Sequence, residues 1–206
     1  MATYSSSSSV SDKVKILILG NSIVWRLEDF IRHNANNYIS LDFKLGFTID
    51  VAWKGIVGRT IQQALEHDMA FIRNFQPDIV VIALGTDDLA DPYNTTQSIS
   101  REMRQLVRRL HRSAGVQHII VGQVLELAAL PMYVPNFNER VYYLNRQLDI
   151  SMRSLAYATF WFHQPLTHND RALLQPNGAC LNTHGNLMLY FSLRSAILQA
   201  LQKIQC

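Results

Sequence analysis

Cysteine is almost absent from this chain. Two residues of this type, Cys180 and Cys206, in 206 cannot build a disulfide framework, and their spacing from the histidines matches no zinc pattern. Neither a metal nor any other cofactor is expected. Long hydrophobic runs are missing as well, and no basic-then-apolar segment opens the sequence. A membrane span and a secretory signal are therefore not expected, and cytoplasmic residence is the default. Charge is sparse at 17% of residues, and the net +3 does not by itself imply a polyanionic partner. What is present is a 48% hydrophobic chain of a length that fills one α/β domain. Residues 1–12, with the run Ser5 to Ser9, hold little that could be buried and read as a flexible leader, leaving 13–206 as a single domain.

From Val14 onward, apolar runs alternate with helical patterns. Strands are expected at Val14–Leu19, Phe47–Trp53, Ile79–Leu84, His118–Val124 and Thr159–Phe162. Between and after them the spacing predicts helices over about 23–34, 59–75, 98–112, 138–155 and 184–204. In the second of these, Ile61, Leu65, Met69 and Ile72 recur on one face. Runs such as Lys15-Ile16-Leu17-Ile18-Leu19 suit strands buried on both sides, as in a parallel sheet. Right-handed crossovers then imply a three-layer α/β/α sandwich around a five-stranded parallel sheet.

Positive charge gathers in one place. The segment from Ser98 to Arg112 holds Arg101, Arg104, Arg108, Arg109 and Arg112 against a single acid, Glu102. Positions 101, 104, 108 and 112 share one helical face, and Met103, Leu106, Val107 and Leu110 form the other. A solvated outer face is the ordinary reading. Contact with nucleic-acid phosphates or an anionic membrane is the alternative.

In open α/β sheets chemistry collects beyond the carboxyl ends of the strands. Three loops at such ends are marked. Gly20-Asn21-Ser22 follows the first strand and places a serine hydroxyl at a helix mouth, where it either acts as a nucleophile or caps the helix. Lys54-Gly55-Ile56-Val57-Gly58-Arg59-Thr60 follows the second, and its glycines permit close backbone approach. Gly85-Thr86-Asp87-Asp88-Leu89 follows the third, where either aspartate alone would read as a helix cap.

In this order, and with Asn177-Gly178-Ala179-Cys180-Leu181-Asn182 near the end, the loops resemble the blocks of the SGNH, or GDSL-like, hydrolase family over roughly residues 14 to 203. The resemblance implies a flavodoxin-like sandwich and a serine esterase acting on carboxylic esters. In that family a serine attacks the carbonyl, a histidine takes its proton, and an aspartate three residues earlier orients the histidine. The serine amide, a block-two glycine and a block-three asparagine hold the oxyanion. Carried over, Ser22 is the nucleophile position, Gly58 and Asp87 are oxyanion positions, and Asn177 and Cys180 stand where the aspartate and histidine would be. More narrowly, Val51-Ala52-Trp53-Lys54-Gly55 and Phe137-Asn138-Glu139-Arg140-Val141 resemble the esterase domain in the first open reading frame of LINE-type retrotransposons.

The departures decide the expectation. A serine without a base stays un-ionised and is a poor nucleophile. An ionised Asp87 would oppose a developing oxyanion, and loss of one oxyanion donor costs on the order of two to three powers of ten in rate. A weak or inactive pseudoenzyme is expected, keeping a cleft for a small acyl ester or lipid. The sequence offers other groups that could substitute. His184 lies one helical turn, about 5 Å, beyond Cys180. His163 and His168, with Asp170 nearby, precede the last loop. Asp87 with a raised pKa, or Cys180 as a nucleophile, would be the others. A flavodoxin-like phosphate-binding domain is a further alternative, though the Gly-rich fingerprint for it is lacking.

Overall fold

The computed structural model describes residues 13–46, 48–126, 134, 136–166, 171–178 and 180–205. The leader over 1–12, Phe47, His168, Asp170 and Cys206 lie outside the described residues. Strands β1 (Val14–Gly20), β2 (Ile49–Gly55), β3 (Ile79–Ala83), β4 (His118–Gly122) and β5 (Ala158–Trp161) form one sheet in the order β2-β1-β3-β4-β5. Every pairing is parallel.

Successive side chains of a strand point to opposite faces, and here both faces are covered. Leu17, Leu19, Val80 and Ile82 pack with helices α2 (Ile61–His67), α3 (Met69–Phe75), α5 (Thr96–Ala114) and α6 (Phe137–Arg153). Ile16, Ile18, Ile79 and Val81 pack with α1 (Ser22–Asn34) and α7 (Thr183–Gln205). The result is a three-layer α/β/α sandwich with a five-stranded parallel sheet. A short α4 (Thr86–Ala90) follows β3, and two single 3-10 turns, Gln164–Leu166 and Arg171–Leu173, lie in the segment before α7. Among the described residues no helix is long and apolar enough to cross a membrane.

Two elements depart from the periodicity. The single helix expected over 59–75 is broken at Asp68, which closes α2 through its N–H to the Ala64 carbonyl and also opens α3. Asp68 is buried, and its Oδ1 lies 3.3 Å from the Arg59 guanidinium and 3.5 Å from Lys54 Nζ. A buried carboxylate requires paired cations, and the helix is interrupted where that carboxylate is held. The apolar repeat runs straight through the break and conceals it. The segment 86–90, expected only as a loop, is helical, with Gly85 preceding it at φ 119°.

Candidate active site

The carboxyl edge of the sheet is built from small residues. Gly20 pairs with Gly55 on one side and Ala83 on the other. A Cβ on Gly20 would lie 2.3 Å from Val24 Cγ2, and one on Gly55 would lie 2.3 Å from the Trp25 backbone nitrogen. These glycines let the first turn of α1 rest directly on the strand ends. Asn21, and not Ser22, caps that helix: its Oδ1 accepts from Ile23 N at 3.1 Å. Its Nδ2 donates to Asp87 Oδ2 at 2.6 Å. Ser22 is thus the first helical residue, and its hydroxyl is not used as the cap.

Ser22 opens into a pocket of about 40 Å³, room for roughly three water-sized groups. Cys180 lines the same pocket, together with Arg26, Glu126 and Asn186. Ile23, Leu125, Leu174 and Leu181 supply its apolar wall. Arg26, one helical turn beyond Ser22, donates through its guanidinium to Cys180 Sγ. Asn177 Nδ2 approaches the same sulfur at 3.7 Å. A bridge between Leu174 and Leu181 closes the loop that carries Asn177 and Cys180.

Gly58 and Asp87 do not line this pocket. Gly58 sits at φ 74° in the exposed turn after β2, which is tied to β1 by Ile56 N donating to Gly20 O at 3.0 Å. Asp87 is half-buried beside Asn21; burial pushes its carboxyl above the usual range and the Asn21 hydrogen bond partly offsets this. Asp88 is buried, and its Oδ1 accepts from Ile61 N at 3.0 Å, clamping the third loop to the start of α2. Its Oδ2 is buried with no hydrogen-bond partner, and burial raises its carboxyl to about 6.

The histidines go elsewhere. His184 is the second residue of α7, exposed, and not part of the pocket lining. His163 is buried under α7, its Nδ1 2.9 Å from Ser192 Oγ. Burial pushes it down to about 4, so it is neutral near pH 7. It lines a separate small cavity beside Val24 and Leu193. Among the described residues, no imidazole lines the Ser22 pocket. Sequence reasoning did not single out Arg26, Glu126 or Asn186. Arg26 could have been found from its i+4 spacing to Ser22. Glu126 follows the fourth strand, an end to which the carboxyl-edge rule applies equally.

The fold and the position of this pocket define a class: three-layer α/β domains with a cleft at the carboxyl edge of a parallel sheet, the arrangement of SGNH-type hydrolases. The chain belongs to the GDSL-like Lipase/Acylhydrolase family, whose sequence profile matches residues 18–184. It is similar in fold to a GDSL-like lipase from Bacteroides thetaiotaomicron, with TM-score 0.72 and 18% identity over 90% of this chain and 88% of that one. A carbohydrate esterase of family 3 from Talaromyces cellulolyticus aligns with TM-score 0.66 and 18% identity, over 92% and 99% of the two chains. An acetylxylan esterase from Geobacillus stearothermophilus aligns with TM-score 0.64 and 16% identity, over 87% and 92%. Comparison with curated protein sequences gives no match.

Proposed function

We propose that this chain is a degenerate acyl-ester hydrolase of its family, with a cleft that binds a small acyl ester or lipid and turns it over weakly or not at all. The observation that carries this reading is that Ser22 shares its pocket with Cys180, and with no imidazole among the described residues. Attack on an ester requires an acceptor for the serine proton. Arg26 and Asn177 act as donors toward the Cys180 sulfur. Neither donor can take up the serine proton, and a cysteine side chain lacks the basic ring nitrogen of an imidazole. Asp87, hydrogen-bonded to the residue before Ser22, would when ionised add negative charge close to a developing oxyanion.

The acetylxylan and carbohydrate esterases among the similar structures make a short acyl group the first ligand to test, and the small, mostly apolar pocket suits one. A second reading, an active esterase with a substituted base, is favoured by one observation: Glu126 lines the same pocket as Ser22. The retrotransposon-type lineage and a cytoplasmic location are proposed with the first reading, and an accessory role in such a protein is an alternative to it. They are supported by the stretches 51–55 and 137–141 and by the scarcity of cysteine.

Reaction with a fluorophosphonate probe separates the two readings. The degenerate cleft predicts no stoichiometric labelling of the folded protein. Stoichiometric labelling that disappears in Ser22→Ala would establish an activated serine and overturn the first reading. Its further loss in Glu126→Gln would identify the base.

A further inference from the structure

Among the described residues, the arginines of α5 form a strongly charged surface that the cleft does not use. Arg101, Arg104, Arg108, Arg109 and Arg112 line a single open depression with Gln105 and Ser113. Arg101, Arg108, Arg109 and Arg112 are exposed, while Arg104 is half-buried with its guanidinium donating to Ser151 O at 3.5 Å. Three arginines on other elements and loops do have carboxylate partners: Arg32 with Glu28, Arg153 with Asp149 and Arg59 with Asp68. Among the described residues, none of the five on α5 has an ion pair. With Glu102 as its only acid, this helix carries more positive charge than the whole chain's +3, so the remainder is close to neutral.

We propose that this face of α5 docks along the phosphodiester backbone of a nucleic-acid duplex. From Arg101 to Arg112 the row spans roughly 16 Å along the helix, enough to follow several successive phosphates of one strand. Guanidinium groups match phosphate oxygens with paired donors, which ammonium groups do not. Two features of the same helix separate this partner from others. An interfacial helix must insert an apolar face into lipid. Here Ile99, Met103, Leu106, Val107 and Leu110 are all committed to the core, and no large apolar side chain of α5 is exposed. Single strands are held by stacking on aromatic side chains; α5 contains no Phe, Tyr or Trp, and its His111 is stacked on Tyr157. Contact is therefore to backbone alone and independent of base sequence. The face lies across the sheet from α1 and α7, so docking leaves the Ser22 pocket open.

The test uses the full chain and a fluorescently labelled short DNA duplex, read by anisotropy. Four phosphate contacts predict a log–log salt slope of roughly −3.6, so affinity falls roughly 150-fold between about 50 and about 200 mM salt. Arg101→Glu with Arg108→Glu should make the slope shallower by about 2 and weaken binding at low salt by at least tenfold, with an unchanged melting temperature. The control Lys13→Glu with Lys44→Glu changes the net charge equally at exposed sites outside α5 and should have little effect. Three results would overturn the proposal. They are no binding at low salt, an equal loss in the control variant, or tighter binding to phosphatidylserine-containing vesicles than to the duplex. Fluorophosphonate labelling is unaffected by any of these variants, so this proposal fails or stands separately from that of the cleft.

Discussion

Replacing Asp88 by asparagine should change how the stability of the protein depends on pH. Asp88 is 2% exposed, with one carboxylate oxygen bonded to Ile61 N and the other buried without a partner. Burial raises its carboxyl from 3.8 to about 6. A raised acid stabilises the fold fully only below its unfolded value near 3.8, where both states hold the proton. That contribution is lost as pH rises through about 6, where the folded chain must ionise a buried carboxylate. A displacement of this size corresponds to about 3 kcal/mol. His118 and His163, both pushed down to about 4 by burial, act with the opposite sign over much the same range. Their stabilising contribution is present above 6.5 and is lost as pH falls toward 4. The wild-type curve therefore mixes both effects, and the difference between variant and wild type isolates Asp88. The asparagine side chain of Asp88→Asn keeps an oxygen for Ile61 N and places an unpaired amide where Oδ2 lies, a cost that does not vary with pH. Urea denaturation of both proteins at intervals from pH 3.5 to pH 7.5 supplies the comparison. The variant should gain on wild type by about 3 kcal/mol across that interval. Parallel curves would refute the buried, unpaired carboxylate.

Hydrolysis of p-nitrophenyl acetate should be near background in the native chain and should rise in the triple variant Asp87→Asn, Asn177→Asp, Cys180→His, while the single changes do little because such groups act as a unit. A folded but inert triple variant would mean that the cleft no longer holds the geometry its residues once served. Asn145→Ala should lower stability by roughly 2–5 kcal/mol in thermal or urea denaturation. Its buried amide both accepts from Val124 N at 2.9 Å and donates to Val124 O at 2.8 Å, so removal takes the partner from both the N–H and the C=O of a buried residue. Gly55→Ala should destabilise the fold and shift α1, because the new Cβ would stand 2.3 Å from Trp25 N; a melting temperature equal to wild type would show that this contact relaxes freely.

Much of this protein is written locally in its chain. Runs such as Ile79-Val80-Val81-Ile82 can be satisfied only by strands covered on both sides, and the turn glycines after them mark where the sheet opens. That positions 177 and 180 hold an asparagine and a cysteine, with no histidine or carboxylate there, is a matter of residue type, legible without coordinates. Other features depend on residues far apart in sequence. Asn21 is the cap because its amide also reaches Asp87, 66 positions away. The helix breaks at Asp68 where that carboxylate meets Lys54 and Arg59 in the interior, against an apolar repeat that predicts no break. Arg26 reaches a cysteine 154 positions away, and Glu126 enters the pocket from beyond β4, outside the loops that carry the family blocks. Periodicity and turn chemistry are set by neighbouring residues, and so they can be read along the chain. Burial, pairing and the walls of a pocket are set by which distant surfaces meet, and only the packed structure decides that.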